Sequence, residues 1–256
     1  MTLPKYSSLR SWRAVTSQAL AALLAIAGSA IASSARAQAE AGDSAAIAKL
    51  PLRELPVTVP GHELVFLITG DGGYASGDRA IAETFVAKNI PVVVLNSRSY
   101  LSPKKTPDQA AEDAARIMAH YMAVWQRDSV VLVGYSRGAD MAPFIVTRLP
   151  DAIRGHLSLV AMIGLADHAS FEFHWTDIVK DVRRSSDLPV QPEVMKIQGV
   201  RMLCLYGARE KGSLCPAFPP SVLTADLHGG KHSLNGDDGT EIATRILREL
   251  EPPPSR

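Results

Sequence analysis

Five stretches of this chain run almost without a polar break. They are "ELVFLIT" (63–69), "PVVVLN" (91–96), "SVVLVG" (129–134), "LSLVAMIGLA" (157–166) and "GVRMLCLYG" (199–207). A strand that is apolar on both faces must be covered on both, so such runs predict a buried, parallel sheet rather than a half-exposed antiparallel one. Helical periodicity fills the gaps between them. Ile81, Ala82, Phe85 and Val86 share one helix face, as do Ala110, Ala114, Ile117, Met118, Tyr121 and Trp125. Ala142, Ile145, Val146 and Leu149 mark a third helix, and "TEIATRILREL" (240–250) an amphipathic closing one. "SVLTADLHG" (221–229) reads as a sixth strand. The fold class is therefore α/β, a mostly parallel sheet with helices on both faces.

Local signals sharpen some boundaries. Thr106, Pro107 and Gln109 supply a cap, a proline at the first helical position and the third-position partner of a capping box. Pro143 lies inside its helix and is expected to kink it. Residues 167–198 fit the alternation least well. They carry "FEFHW" (171–175) and are expected to form an insertion over one sheet edge.

The third apolar run leads directly into Gly134-Tyr135-Ser136-Arg137-Gly138. A serine between two glycines, after a strand and before a helix, has the context of a nucleophile on a sharp turn. Such chemistry also needs an acid and then a histidine after later strands. Glu210 follows one strand end and His232 the next, in the required order. Asp167 and Asp226 are alternative acids on sequence grounds. The backbone N–H groups expected to hold an oxyanion are those of Arg137 and of Asp71 or Gly72, after the first long strand. The Asp71 carboxylate is also a candidate for a cationic substrate group, as are Tyr74 and Glu172 for substrate contact.

Other chemistries fare worse. Gly70-x-Gly72-x-x-Ala75 is a passable dinucleotide fingerprint, but Asn96 stands where a ribose-binding acid is required. "GGKHS" (229–233) places His232 where a phosphate loop needs Ser or Thr. No His, Cys and Asp cluster has metal-ligand spacing. Neither a cofactor nor a metal is expected.

The first residues read as an address. Lys5, Arg10 and Arg13 precede the apolar run "ALAALLAIAGSAIA" (19–32), and Ala35-Arg36-Ala37 has a small-x-small cleavage pattern. Residues 1–37 are expected to be a secretory signal peptide, 38–50 a flexible leader, and 51–256 a single domain in the periplasm. The full chain holds 27 Lys and Arg against 26 Asp and Glu; removing those four bases and no acid turns a formal +1 into −3. That excludes the basic field of a nucleic-acid binder. Two cysteines, Cys204 and Cys215, are expected to be bridged in such a compartment rather than to be unrelated buried thiols.

Taken together, "LITGDGGY", "TPDQAAEDAARIMAHYMAVW", "VVLVGYSRGADMAPF", "LCLYGAREKGSLCP" and "LHGGKHSLNGD" resemble the bacterial virulence protein VirJ/AcvB family over residues 55–250. The resemblance implies a periplasmic α/β-hydrolase with Ser136 as nucleophile, His232 as base and a cysteine pair at Cys204 and Cys215. AcvB-type members are implicated in hydrolysing lysyl-phosphatidylglycerol, which implies an aminoacylated phospholipid partner and contact with a membrane surface. The alternatives are a general carboxylesterase or lipase and a non-catalytic hydrolase-fold binding protein linked to secretion. The chain departs from the family at Tyr74, where Trp is usual, and at Arg137, where Phe is common. "NSRSYLSPKKTP" (96–107) lacks the aromatic pair that usually precedes the next helix.

Overall fold

The computed structural model describes residues 42–175 and 183–251. The expected signal peptide falls outside those residues. Along the chain run strands β1 (Leu52–Leu55) and β2 (Glu63–Ile68), helix α1 (Ser76–Val86), β3 (Val92–Leu95), and helices α2 (Ser97–Tyr100) and α3 (Pro107–Val124). Then come β4 (Ser129–Tyr135), α4 (Arg137–Val146), α5 (Asp151–Arg154), β5 (Leu157–Ile163), β6 (His168–Ala169), β7 (Leu188–Pro189) and α6 (Gln191–Val194). β8 (Met202–Gly207), β9 (Thr224–His228) and α7 (Gly236–Leu250) complete the order.

Seven strands form one sheet in the order β1-β3-β2-β4-β5-β8-β9. Within this sheet, among the described residues, β1 alone pairs antiparallel and every other neighbour is parallel, while β6 and β7 form a separate antiparallel pair. The unbroken apolar runs behave as their composition demands. Alternate residues Leu64, Phe66 and Ile68 face a core shared with α3 and α4, while Val65 and Leu67 face α1 and α7. Helices α1 and α7 meet closely enough that a Cβ on Gly239 would lie 2.4 Å from the Gly77 carbonyl. Because the strands are parallel, their carboxyl ends align, and the loops leaving β2, β4, β5, β8 and β9 gather at one end.

The capping box at α3 forms as predicted, Thr106 and Gln109 each accepting from the other's backbone N–H. Helix α4 runs on through Pro143 to Val146. Two expectations are corrected. Residues 42–47, read as part of a flexible leader, are helical, and Ile47 is buried; alanine-rich segments favour helix over coil. Among the described residues, the segment after Asp167 lies over a helix and not over a sheet edge. It packs across α4, with Phe171 edge-on to Phe144 at 5.6 Å and Glu193 bonded to Thr147 and Arg148. Its backbone also joins the loop after β3, through Lys105 N–H to the Phe171 carbonyl and Phe173 N–H to the Leu101 carbonyl.

Candidate active site

Ser136 sits between the last residue of β4 and the first of α4, with φ 51° and ψ −117°. That left-handed conformation is costly for a non-glycine residue and is held by its surroundings. The flanking glycines explain how. A Cβ on Gly134 would lie 2.3 Å from the Gly138 carbonyl, and one on Gly138 would lie 2.1 Å from the Ile68 carbonyl. The turn thus closes on itself and against β2 only because both positions lack side chains. Ser136 N–H is anchored on the Ile163 carbonyl of β5 at 2.8 Å, which leaves the hydroxyl to project beyond the sheet.

The register of the last two strands supplies the partners. Gly207 of β8 pairs with His228 of β9, so the loops after both strands start side by side. His232 Nε2 lies 2.9 Å from Ser136 Oγ, and His232 Nδ1 lies 2.7 Å from Glu210 Oε1. Assigning the ring proton to Nδ1 satisfies the carboxylate and leaves Nε2 as acceptor for the hydroxyl. Glu210 Oε2 accepts from Gly207 N–H at 2.9 Å, so both carboxylate oxygens are bonded. The Glu210 side chain is 6% exposed against 44% for His232, a sealed acid behind an accessible ring. Burial alone would raise the Glu210 carboxyl, but the hydrogen bonds from His232 and Gly207 hold it below the ordinary range.

The other candidate acids are engaged elsewhere. Asp167 pairs with His168 at 2.6 Å and Arg183 at 3.2 Å, and Asp226 with Arg245 at 2.6 Å. Gly164, with φ +68°, explains why the loop after β5 leaves room: a Cβ there would lie 2.9 Å from the His232 ring.

Pairing of Ile68 with Gly134 sets the loop after β2 beside the serine, and Gly70 approaches the Ser136 Cβ. The Gly-x-Gly of the dinucleotide fingerprint is therefore part of this turn. Neither Asp71 nor Gly72 N–H meets an acceptor among the described residues. The Asp71 carboxylate, entertained as a site for a cation, receives Arg137 Nε at 2.9 Å and Nη2 at 3.0 Å. Glu172 faces Lys104 at 3.4 Å and His174 at 3.8 Å. Arg53 and Arg79 flank the Tyr74 ring, which lines a cavity of about 510 Å³ with Asn96 and residues of β1.

Cys204 and Cys215 form a disulfide, with Cα atoms 5.5 Å apart, and it spans the loop that carries Glu210. No group of three or more His, Cys, Asp or Glu side chains among the described residues could hold a metal ion. No helix among them is long and apolar enough to cross a membrane.

Two residues with roles here carried no sequence signal. Tyr135 Oη donates to the His232 carbonyl at 2.9 Å and accepts from Leu234 N–H at 3.3 Å. Asp140, buried in α4, accepts from Ala166 N–H at 2.8 Å. An x in the pentapeptide and a polar residue in a helix give no hint of these long-range bonds.

Residues 62–252 match the family described as bacterial virulence protein (VirJ). The chain belongs to the VirJ family. No curated protein sequence matches it. Among solved structures, this VirJ-family chain resembles MenH from S. aureus at 15% identity and TM-score 0.54, covering 78% of this chain and 97% of that one. It also resembles Est1E from Butyrivibrio proteoclasticus, solved with ferulic acid bound, at 12% identity and TM-score 0.54, covering 78% and 95%. At such identities the likeness establishes the fold, which is that of the α/β-hydrolases.

Proposed function

We propose that this VirJ-family protein is a serine hydrolase that cleaves an ester. The observation that carries the proposal is the continuous chain from Ser136 Oγ through His232 to the buried Glu210, at 2.9 and 2.7 Å. In this reading Ser136 Oγ attacks the ester carbonyl carbon while His232 Nε2 takes its proton. The negative charge that develops on the carbonyl oxygen is met by N–H groups of Arg137 and of Asp71 or Gly72. As the carbon–oxygen bond to the leaving alcohol breaks, His232 returns the proton to that alcohol. Water then repeats the sequence on the acyl-serine and releases the acid. Glu210 keeps the proton on Nδ1 and stabilises the imidazolium formed in each half.

For the substrate, family resemblance favours the aminoacyl ester of phosphatidylglycerol, lysyl above others, at a periplasmic membrane surface. The N-terminal address and the disulfide support export to an oxidising compartment. The charges around the serine favour a second reading. Asp71 is neutralised by Arg137 and Glu172 is paired with Lys104, and a general carboxylesterase needs neither carboxylate.

Two measurements test the proposal. Purified protein should be labelled by a fluorophosphonate, and Ser136→Ala and His232→Ala should each abolish turnover without adding when combined. An unlabelled, folded wild type identifies a non-catalytic binding protein instead. Incubation with lysyl- and alanyl-phosphatidylglycerol and a neutral short-chain ester should release the amino acid; cleavage of the neutral ester alone selects the general esterase.

A further inference from the structure

The loop after β2 is held unevenly. Its base is fixed: the Gly70 carbonyl accepts from Ser97 Oγ at 2.9 Å and Thr69 Oγ1 at 3.3 Å, and from Gly73 N–H at 2.9 Å. Its tip, Asp71 and Gly72, carries the two N–H groups that meet no acceptor among the described residues. A forked pair of hydrogen bonds from Arg137 to Asp71, at 2.9 and 3.0 Å, tethers that tip by its side chain. Arg137 is an unusual place for a guanidinium. Its side chain is 7% exposed, yet it belongs to the residue directly after the serine, and its third nitrogen reaches the Ser170 carbonyl at 3.5 Å. A planar guanidinium bonded through two parallel N–H···O contacts fixes both distance and orientation, which an ammonium cannot do.

We propose that Arg137 is a positioning residue: its guanidinium, acting through Asp71, sets the place of the Asp71 and Gly72 N–H groups relative to its own backbone N–H. One residue would then supply one oxyanion donor from its main chain and brace the other from its side chain. The inference rests on the serine-hydrolase reading above. It follows from the narrow tolerance of such sites, where donors must lie within about 3 Å of the oxyanion rather than of the ground-state carbonyl oxygen. A loosened tip should therefore weaken the transition state and leave ground-state binding nearly untouched.

The test compares wild type with Arg137→Lys, Asp71→Asn and the neutral double variant R137Q/D71N, each checked for native circular dichroism. Substrate is a neutral p-nitrophenyl ester, and a boronic acid serves as the tetrahedral mimic. The expected result is a kcat lowered about 10- to 100-fold with KM within about twofold, and a boronate inhibition constant raised by a matching factor. Arg137→Lys should not rescue, because a lysine keeps the charge but loses the fork. R137Q/D71N removes both charges of the pair together; it should fold and remain impaired, which separates positioning from the cost of stranding one charge of that pair. If fluorophosphonate labels wild-type Ser136 while folded Lys and double variants turn over normally, the brace is wrong and the hydrolase reading stands. If wild-type Ser136 is neither labelled nor active, the hydrolase reading falls and the brace falls with it.

Discussion

Tyr135, the residue before the serine, holds the histidine loop from below: its hydroxyl donates to the His232 carbonyl and accepts from Leu234 N–H. Burial first of all pushes its phenol up to about 12, so it remains a donor at any working pH. Tyr135→Phe removes both bonds while keeping the ring. We expect a loss of about 1 kcal/mol in stability and a kcat lowered about tenfold with little change in KM. Denaturant titration and steady-state kinetics on one preparation would check both.

Glu210→Gln keeps the shape of the acid but not its charge. An amide can offer its N–H₂ to Nδ1 and favour the wrong tautomer, so kcat should fall by about 10³- to 10⁴-fold, as for other acids in this role. The pH dependence carries a sign. The Glu210 carboxyl is held below its ordinary range in the folded protein, so its stabilisation is present above the unfolded value and is lost as pH falls through the folded one. Acid unfolding of Glu210→Gln should therefore be shallower than that of wild type, measured by circular dichroism from neutral pH downward.

Asp140 gives the opposite slope. Burial pushes its carboxyl from 3.8 up to about 7, against the pull of Ala166 N–H and the charges of Arg137, His232 and His168. The folded state keeps a proton that the unfolded chain releases, so this group costs stability as pH rises from 3.8 to about 7. Asp140→Asn can retain the bond from Ala166 N–H through its carbonyl oxygen. Its melting temperature relative to wild type should rise between about pH 4 and pH 7, and a constant difference over that range would contradict the assignment.

The Cys204–Cys215 bridge closes a short loop, separated by 11 in sequence, around Glu210. Reduction, or replacement of both residues by serine, should cost about 2–3 kcal/mol. Activity should fall at temperatures well below the new midpoint, because the loop carrying the acid loosens before the sheet opens. Parallel thermal scans and activity assays with and without reductant would show the offset; coincident losses would leave the bridge with a purely global role.

The features legible in the sequence are those whose causes are local. The sharp turn at Ser136 was legible because strand, turn and helix signals sit within a dozen residues, and the two glycines are required by contacts inside that turn and with the neighbouring strand. The α3 capping box was legible for the same reason: its donors and acceptors are three residues apart. The parallel sheet followed from strands apolar on both faces. Choosing among Glu210, Asp167 and Asp226 was not possible that way, since each follows or lies in a strand. Only the pairing of β8 with β9 brings one of them to His232, while local and distant cations claim the other two. The union of Arg137 with Asp71, 66 residues apart, and the seating of residues 167–175 across α4 belong to tertiary structure as well. Hydrophobic period specifies which elements form and which faces they bury. It says nothing about which polar side chains meet across the aligned strand ends, because those meetings depend on strand order and register.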